Sequence, residues 1–169
     1  LKIFVFTSGA SLTAEQPLNN IVRVTIETMA AVAGGVQTIS TSSFDEAFAI
    51  PTEEAVKVAL RTQQIIAYES GITETVDFMG GAYALEKLTD EIEKDIFNIL
   101  DEIESNYGAV DCIEKGYFQR KLADNAYKYQ KSIDDKERIV VGSNMFRDEL
   151  EPEIPIFELS NDTQELQRI

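Results

Sequence analysis

Two short apolar runs in the first quarter of the chain predict β-strands. Residues 1–6 read LKIFVF and predict a buried strand over about residues 1–7, with a loop at residues 8–11 after it. The β-branched run at residues 36–40 predicts a second strand. Weaker runs predict a third strand at residues 72–77 and extended segments at residues 138–141 and 154–159.

Helical spacing of apolar residues predicts the segments that join these strands. The first helix opens near Pro17, which suits a first turn, and stops at a Gly-Gly pair. Its predicted core face holds Val22, Ile26, Met29, Ala30 and Ala33. Arg23 and Glu27 lie on the other face. Thr52 is the predicted N-cap of a second helix, which ends near Gly71.

The second half of the chain has a helical pattern throughout. One long amphipathic helix is predicted by a stripe with steps of three and four residues: Leu85, Leu88, Ile92, Ile96, Ile99, Ile103 and Tyr107. A short helical turn at residues 110–115 contains Cys112, which is expected to be buried. A further helix is predicted, and its inward face holds Phe118, Leu122, Ala126, Tyr129 and Ile133.

Strands that alternate with helices predict an α/β fold with parallel strands and helical crossovers. The first two strands are therefore expected to pair in parallel, with the first helix between them. A complete eight-stranded barrel needs roughly 200–250 residues, whereas this chain has 169. The pattern leaves two architectures open, an incomplete barrel and a small open α/β sheet. No linker is expected before about Asn144.

Composition excludes several functions. The net charge of −15 and the pI near 4.3 oppose nucleic acid or an anionic membrane as partner. Histidine is absent, which excludes Ser-His-Asp and Cys-His catalysis and the common zinc sites. A lone cysteine fits a reducing, cytoplasmic setting. No apolar run is long enough for a membrane span, and no signal peptide is expected. A strand that starts at the first residue suggests that the sequence is cut from a longer protein.

Five stretches together resemble one protein family: SGASLTAEQPLNN, GGVQTISTSSFDEAFAIPTEEA, RTQQIIAYESG, FMGGAYALEKLTDEIE and IEKG. The family is that of the adenosylcobalamin-dependent acyl-CoA mutases, with methylmalonyl-CoA mutase the nearest, and the likeness covers about residues 1–146. It implies the C-terminal part of a TIM-type (β/α)8 barrel, about three βα units, over residues 1–143, and an extended tail over residues 144–169. It also implies radical carbon-skeleton isomerisation of an acyl-CoA, started by the 5′-deoxyadenosyl radical.

The resemblance implies roles for individual residues. Those that match cofactor-binding positions of the family are Gly9, Ala10, Ser42, Glu46, Ala47 and Gln130. Those that match substrate-binding positions are Lys2, Phe4, Phe6 and Gln37. Glu46 is expected to accept both ribose hydroxyls of the adenosyl group, and Gln37 to face the substrate. The family's cobalt-ligand motif and its catalytic histidine have no counterpart here, so no catalytic or metal-binding residue is assigned.

Several positions depart from the family pattern. Phe4 and Phe6 stand where the family has a lining histidine and glutamine, and Ala10 stands where it usually has tryptophan. Ser40 and Ser42 replace a histidine and an asparagine. These changes leave the acyl-CoA substrate undetermined.

Two functional hypotheses follow from the resemblance. In the first, the chain is part of the catalytic subunit of such a mutase, incomplete alone, and works in an oligomer with the remaining barrel segment and a cobalamin-binding domain or subunit. In the second, it is a degenerate, non-catalytic paralogue or subunit fragment that keeps the fold and binds partner chains. Glu46, Gln37 and Gln130 favour the first hypothesis, and Phe4 and Phe6 favour the second. A purely structural role for Glu46 or Gln37 also remains open.

Overall fold

The computed structural model describes residues 2–149 and 155–158. The chain is α/β and mostly helical, with a small parallel sheet. It divides into two compact units, one that contains Leu1–Phe78 with Asp148–Ile169, and one that contains Met79–Arg147. Within the described part of the chain, no helix is long and apolar enough to cross a membrane.

Unit one has a β–α–β–α order. Strand β1 is Phe4–Phe6, helix α1 is Asn19–Ala33, strand β2 is Thr38–Ser40 and helix α2 is Glu53–Glu69. The strands pair in parallel, with Phe4 opposite Thr38 and Phe6 opposite Ser40. The predicted parallel pair with a helix between its strands is therefore confirmed, although each strand is shorter than predicted.

The ends of both helices follow from local chemistry. Thr52 caps α2 as predicted, because its hydroxyl accepts the N–H of Ala55 at 3.3 Å. Glu53 and Glu54 occupy the first turn of this helix, where the helix dipole favours carboxylates. Helix α1 ends before Gly35, whose φ of 77° lies in the left-handed region that favours glycine.

The predicted core face of α1 is wrong. Val22 and Ile26 are 60% and 62% exposed, and Met29 is exposed as well. The buried residues of α1 are Asn20, Val24 and Thr28. Helix α2 buries Ala55, Ala59, Thr62 and Ile66. The buried residues of the two helices thus mix apolar side chains with asparagine and threonine, whereas periodicity alone selected the more apolar face of α1.

The predicted third strand at residues 72–77 is absent from the described structure, which has turns there. Asp77 has a φ of 50°, and the N–H of Glu74 donates to the carbonyl of Gly71. A strand needs a neighbour to accept its backbone hydrogen bonds, and the described sheet consists of β1 and β2. The physical reason for the error is that this weak β-branched run does not pair with either open edge of the described sheet, so its backbone hydrogen bonds close locally in turns.

Unit two is helical. Helix α3 is Tyr83–Ser105, α4 is Ala109–Glu114 and α5 is Tyr117–Asp134, so the three predicted helices are confirmed to within a few residues. Cys112 is buried, as predicted. The inward face predicted for α5 is wrong as a core, since Leu122 is exposed. The predicted apolar stripe of α3 is not buried either, since Ile92 and Ile96 are about half exposed. Within the described residues of this unit, no other surface covers these apolar stripes, so they stay exposed to water.

The remaining extended predictions have mixed outcomes. Residues 138–141 form no strand, although Val141 makes an isolated parallel bridge with Met145. The Asn144 amide instead ties this segment to the carbonyls of Ile133 and Arg138 at 2.9 and 2.7 Å. Of the predicted segment at residues 154–159, residues 155–158 lack regular secondary structure and the other two lie outside the described residues.

Candidate functional site

The loops that follow β1 and β2 meet at one edge of the sheet, because parallel strands bring their carboxyl ends together. The N–H of Thr7 donates to the carbonyl of Ser40 at 3.0 Å. The N–H of Ser42 donates to the hydroxyl of Thr7 at 2.8 Å. Thr7 is buried at this junction. Two loops that are remote in sequence thus form one surface.

The loop after β1 forms a tight turn that a carboxylate from α1 holds. Gly9–Ser11 is a single 3-10 turn. The N–H of Ser8 donates to Glu27 Oε2 at 2.8 Å, and the hydroxyl of Ser11 donates to Glu27 Oε1 at 2.5 Å. The expectation that Glu27 merely occupies the outer face of its helix is therefore corrected.

Asn20 connects α1 to both loops. Its side chain is fully buried, and its amide group donates to the carbonyls of Thr13 and Phe44, each at 2.8 Å. Its Oδ1 accepts the N–H of Thr13 at 3.1 Å and a guanidinium N–H of Arg23 at 2.6 Å. Arg23 also reaches the Thr13 hydroxyl at 2.9 Å, so this residue too belongs to the loop network. Because Asn20 meets neighbours from both loops, its position fixes one loop relative to the other.

Asp45 anchors the loop after β2 to the start of α2. It is 4% exposed, and its Oδ2 accepts both the N–H and the hydroxyl of Thr52 at 2.9 and 3.0 Å. Its Oδ1 is buried without a partner among the described residues. Because Asp45 is held in this way, the next residue, Glu46, turns outward and is exposed.

Glu46 lies directly against Gly9. A methyl group on Gly9 would overlap Glu46 Oε1 and lie 3.5 Å from Glu46 Cδ. The glycine therefore permits a close approach that any other residue would hinder. Within the described part of the chain, no donor is hydrogen-bonded to the Glu46 carboxylate. An exposed carboxylate with free acceptor oxygens, held over bare backbone, is suited to bind hydroxyl or amide donors of a ligand.

Three other residues predicted at the cofactor side lie at this same edge. Ser42 is partly buried, and its hydroxyl lies 3.5 Å from the carbonyl of Thr7. Ala10 is exposed in the turn after β1, and Ala47 is exposed beside Glu46. The structure thus brings together five of the six predicted cofactor residues: Gly9, Ala10, Ser42, Glu46 and Ala47.

Gln130 is the sixth, and it lies in unit two. Its amide donates to Asp134 Oδ1 at 2.8 Å, one helical turn further along α5. Its side chain is exposed and free to exchange that local contact for another.

The predicted substrate residues of β1 lie on one face of the sheet. Phe4 and Phe6 are 53% and 71% exposed, and their rings meet edge to face with centroids 4.6 Å apart. Lys2 has the same parity along the chain and is also exposed. Val5, between them, is the less exposed residue of the strand and has the opposite parity. This face is therefore an apolar, aromatic surface with one cation at its end.

Gln37 lies at the opposite end of β2 from Glu46. Its Oε1 accepts the N–H of Ile3 at 2.7 Å, and its amide donates to the carbonyl of Gly35 at 2.7 Å. The Gln37 side chain is therefore already hydrogen-bonded to two backbone groups near the amino ends of the strands. It also borders a cavity of about 320 Å³, whose other lining residues include Val32, Ile39 and Ile66.

Another cluster, in unit two, consists of three side chains with shifted pKa values: Glu102, Tyr117 and Lys121. The hydrogen bond from Tyr117 lowers the pKa of Glu102. Burial, and then the bond to Glu102, raises the pKa of Tyr117, while Glu102 raises the pKa of Lys121. The Lys121 ammonium lies 3.4 Å from Glu102 Oε2 and joins α5 to α3. Across residues 2–149 and 155–158, no group of three acidic or cysteine side chains is arranged to hold a metal ion.

Sequence reasoning missed Asn20, Glu27 and Asp45 as residues of this site. A weak signal was present, because Asn20, Arg23 and Glu27 recur at steps of three and four along one face of α1. The sequence places Arg23 and Glu27 on the face opposite the predicted core. The loops that it binds come from other parts of the chain, which no local pattern reveals.

Comparison with known proteins gives consistent matches over the chain. A family model described as methylmalonyl-CoA mutase matches residues 1–169. The 2-hydroxyisobutanoyl-CoA mutase large subunit of Aquincola tertiaricarbonis is 45% identical over 168 residues, which are 99% of this chain and 30% of that protein. The methylmalonyl-CoA mutases of Rhizobium meliloti (strain 1021) and Escherichia coli (strain K12) are each 39% identical over 155 residues, 92% of this chain and 22% of each relative. The chain thus spans 30% or less of the length of these curated relatives.

Proposed function

The chain belongs to the methylmalonyl-CoA mutase family, and on that premise we propose that it is part of the catalytic subunit of an adenosylcobalamin-dependent acyl-CoA mutase. It is incomplete on its own, because it spans 30% or less of its relatives' length. It works with the remaining barrel segment and a cobalamin-binding domain or subunit, in an oligomer. Adenosylcobalamin, when bound, supplies the radical chemistry for isomerising the carbon skeleton of the acyl-CoA.

The observation that carries this proposal is the contact between Gly9 and Glu46. Glu46 offers free carboxylate oxygens at the carboxyl edge of the sheet, and Gly9 leaves bare backbone beneath them. These features fit the ribose hydroxyls of an adenosyl group and the flat edge of a corrin. In this proposal Ala10, Ser42 and Ala47 complete the surface around the pair, and Gln130 of α5 is a further proposed cofactor contact.

The parallel pair of strands supports the proposed fold. Strands β1 and β2 with helices α1 and α2 make two βα units, as in the C-terminal part of a TIM-type barrel. The barrel part comprises residues 1–143, with a tail over residues 144–169, in this proposal. In such a barrel, the face of β1 that carries Phe4 and Phe6 lines the interior, with Lys2 at its end.

The substrate side of the proposal is less polar than the family pattern. Phe4 and Phe6 offer rings rather than hydrogen bonds. Gln37 offers an amide whose donor and acceptor atoms each already hold one backbone partner. A substrate contact through Gln37 therefore uses its remaining lone pair or N–H.

The apolar rings of Phe4 and Phe6 favour the second candidate, a degenerate paralogue or subunit fragment that binds partner chains without catalysis. In that case the exposed apolar faces of α3 and α5 serve assembly alone. The two candidates differ in whether the Glu46 carboxylate binds cofactor, so a cofactor titration distinguishes them.

The experiment is a titration of adenosylcobalamin into the complete assembly that carries this chain. We expect Glu46→Ala to raise the cofactor Kd roughly ten- to a hundredfold, since a hydrogen bond to a charged group is worth about 1.5–3 kcal/mol. Glu46→Gln is expected to lose less, because one acceptor oxygen remains. Gly9→Ala is a second probe: its methyl group displaces the flexible carboxylate and weakens binding with little change in melting temperature.

The control is Glu54→Ala, which removes another exposed carboxylate of unit one without touching the loop. Gln37→Ala is expected to raise the acyl-CoA KM and leave the cofactor Kd unchanged. Wild-type cofactor affinity in folded Glu46→Ala protein would remove Glu46 from the site and favour the non-catalytic candidate.

A further inference from the structure

Glu27 closes the turn at residues 8–11 from both ends. One carboxylate oxygen accepts the backbone N–H of Ser8 at 2.8 Å, and the other accepts the hydroxyl of Ser11 at 2.5 Å. Gly9 and Ala10 lie between these two attachment points. Hydrogen bonds to an ionised acceptor are stronger than neutral ones. The turn is therefore fixed to α1 and cannot shift independently of that helix.

The position of this turn decides how Gly9 meets Glu46. The chain is held to the sheet up to Thr7, whose N–H donates to Ser40. Beyond that point, Glu27 provides the two side-chain bonds that hold the turn from outside. Gly9 lies so close to the Glu46 carboxylate that the space of one methyl group is already filled. A displacement of the turn by about an ångström would therefore change the ligand-binding surface, as small misplacements do in preorganised sites.

We propose that Glu27 is a positioning residue of the cofactor site, whose carboxylate holds Gly9 beneath the Glu46 carboxylate. Glu27 acts through Gly9 and has no contact with the ligand itself. This inference rests on the proposed function, which makes Gly9 and Glu46 the cofactor contact.

The Ser11 hydroxyl allows a sharp choice of variants. The Ser11 hydroxyl oxygen also lies 2.8 Å from the carbonyl of Ser8. When residue 27 is glutamine, the hydroxyl can donate its proton to that carbonyl, and its oxygen can then accept a hydrogen bond. A glutamine at position 27 can then accept from Ser8 through Oε1 and donate to Ser11 through Nε2. Glu27→Gln therefore keeps both bridges, whereas Glu27→Leu, of similar size, loses both.

The test is the adenosylcobalamin Kd of the complete assembly. We expect Glu27→Leu to raise it about tenfold and Glu27→Gln by about twofold or less. The acyl-CoA KM at saturating cofactor stays at the wild-type value. Amide hydrogen exchange across residues 8–12 is faster in Glu27→Leu and unchanged in Glu27→Gln. Glu69→Leu, at the exposed end of α2, is the matched control.

A double-mutant cycle separates positioning from general stability. If Glu27 acts through Gly9 and Glu46, Glu27→Leu adds no further loss of affinity in the Glu46→Ala background. Losses that add in full would contradict the positioning role. Should Glu27→Leu fold poorly, Ser11→Ala removes one bridge from the loop side, with an expected loss of about threefold.

The outcomes also separate this inference from the proposed function. Wild-type Kd in Glu27→Leu, together with a weakened Glu46→Ala, overturns the role of Glu27 and leaves the site intact. Wild-type Kd in both variants overturns the site and the positioning role together.

Discussion

The two units of this chain differ in which side chains they bury and which they leave exposed. Unit one buries polar groups, among them Asn20, Thr28 and Asp45, and satisfies most of them with hydrogen bonds to groups of its own loops and helices. Unit two contains the most regular amphipathic helix of the chain, yet the apolar stripe of α3 stays about half exposed. The strongest periodic signal therefore lies where the described chain has the least core.

The difference reflects how each interaction is satisfied. A hydrogen bond needs one donor and one acceptor, so a few neighbouring groups are enough to complete it. An apolar stripe is stabilised in proportion to the area that it removes from water, and that area must come from another surface. Unit one thus offers a defined site, whereas unit two offers an exposed apolar surface.

The largest expected effect comes from breaking the polar network of unit one at Asn20. Asn20→Ala leaves the N–H of Thr13 and the carbonyls of Thr13 and Phe44 without their side-chain partner. Because each buried group left unpaired costs about 1–3 kcal/mol, we expect a loss of roughly 4 kcal/mol in local stability. Hydrogen exchange of α1 amides measures this, with Asn19→Ala as control. A loss below about 1 kcal/mol would show that the loops hold together without Asn20.

The next prediction tests whether unit two gains its core in the complete protein. We expect Ile96→Ala, on the exposed stripe of α3, to destabilise the complete protein by about 2–3 kcal/mol, because its stripe is then covered. Chemical denaturation provides the measurement. Glu93→Ala, on the same helix, is expected to change stability by no more than about 0.5 kcal/mol. Equal effects of the two variants would indicate that the stripe stays in water.

A smaller effect is expected at Asp45. Asp45→Asn keeps one oxygen to accept from Thr52, but the acceptor is no longer charged. We expect a loss of about 1 kcal/mol in the protection of the first turn of α2 against hydrogen exchange. Asp45→Ala removes both bonds and is expected to lose more. If the two substitutions are equally damaging, the charge rather than the acceptor geometry holds the loop.

The smallest expected effect concerns the Glu102 cluster of unit two. Tyr117 lowers the pKa of Glu102 below its ordinary value of 4.5. A depressed carboxyl pKa stabilises the folded state above the ordinary pKa, and this contribution is lost as pH falls through the folded value. Tyr117→Phe is therefore expected to raise the pKa of Glu102 and to flatten the pH dependence in that acid range. Carboxyl NMR titration checks this, with Tyr127→Phe as control; an unchanged Glu102 pKa would contradict it.

Local patterns predicted the elements better than they predicted the faces of those elements. Thr52 was identified as an N-cap from residue type and position, and the helices of unit two from spacing, because both depend on near neighbours in the chain. The buried face of α1 was missed because tertiary contacts, such as those of Asn20 with both loops, selected the row of Asn20, Val24 and Thr28 over the more apolar row. The prediction of a strand at residues 72–77 was wrong for a related reason, because a strand forms only where its backbone pairs with another strand.

By itself, the sequence determined the helices and the first two strands in their order, the acidic and histidine-free character of the chain, and the family motif around Glu46. These properties are carried by residue type and spacing, which a linear chain contains in full. The tertiary structure alone decided that Gly9 lies beneath Glu46 and that Glu27 and Asn20 hold the loops together. The contacts of Ser8 with Glu27, of Asn20 with Phe44 and of Gly9 with Glu46 join residues 19 to 37 positions apart. Their geometry exists only after the parallel strands have brought both loops to one edge of the sheet.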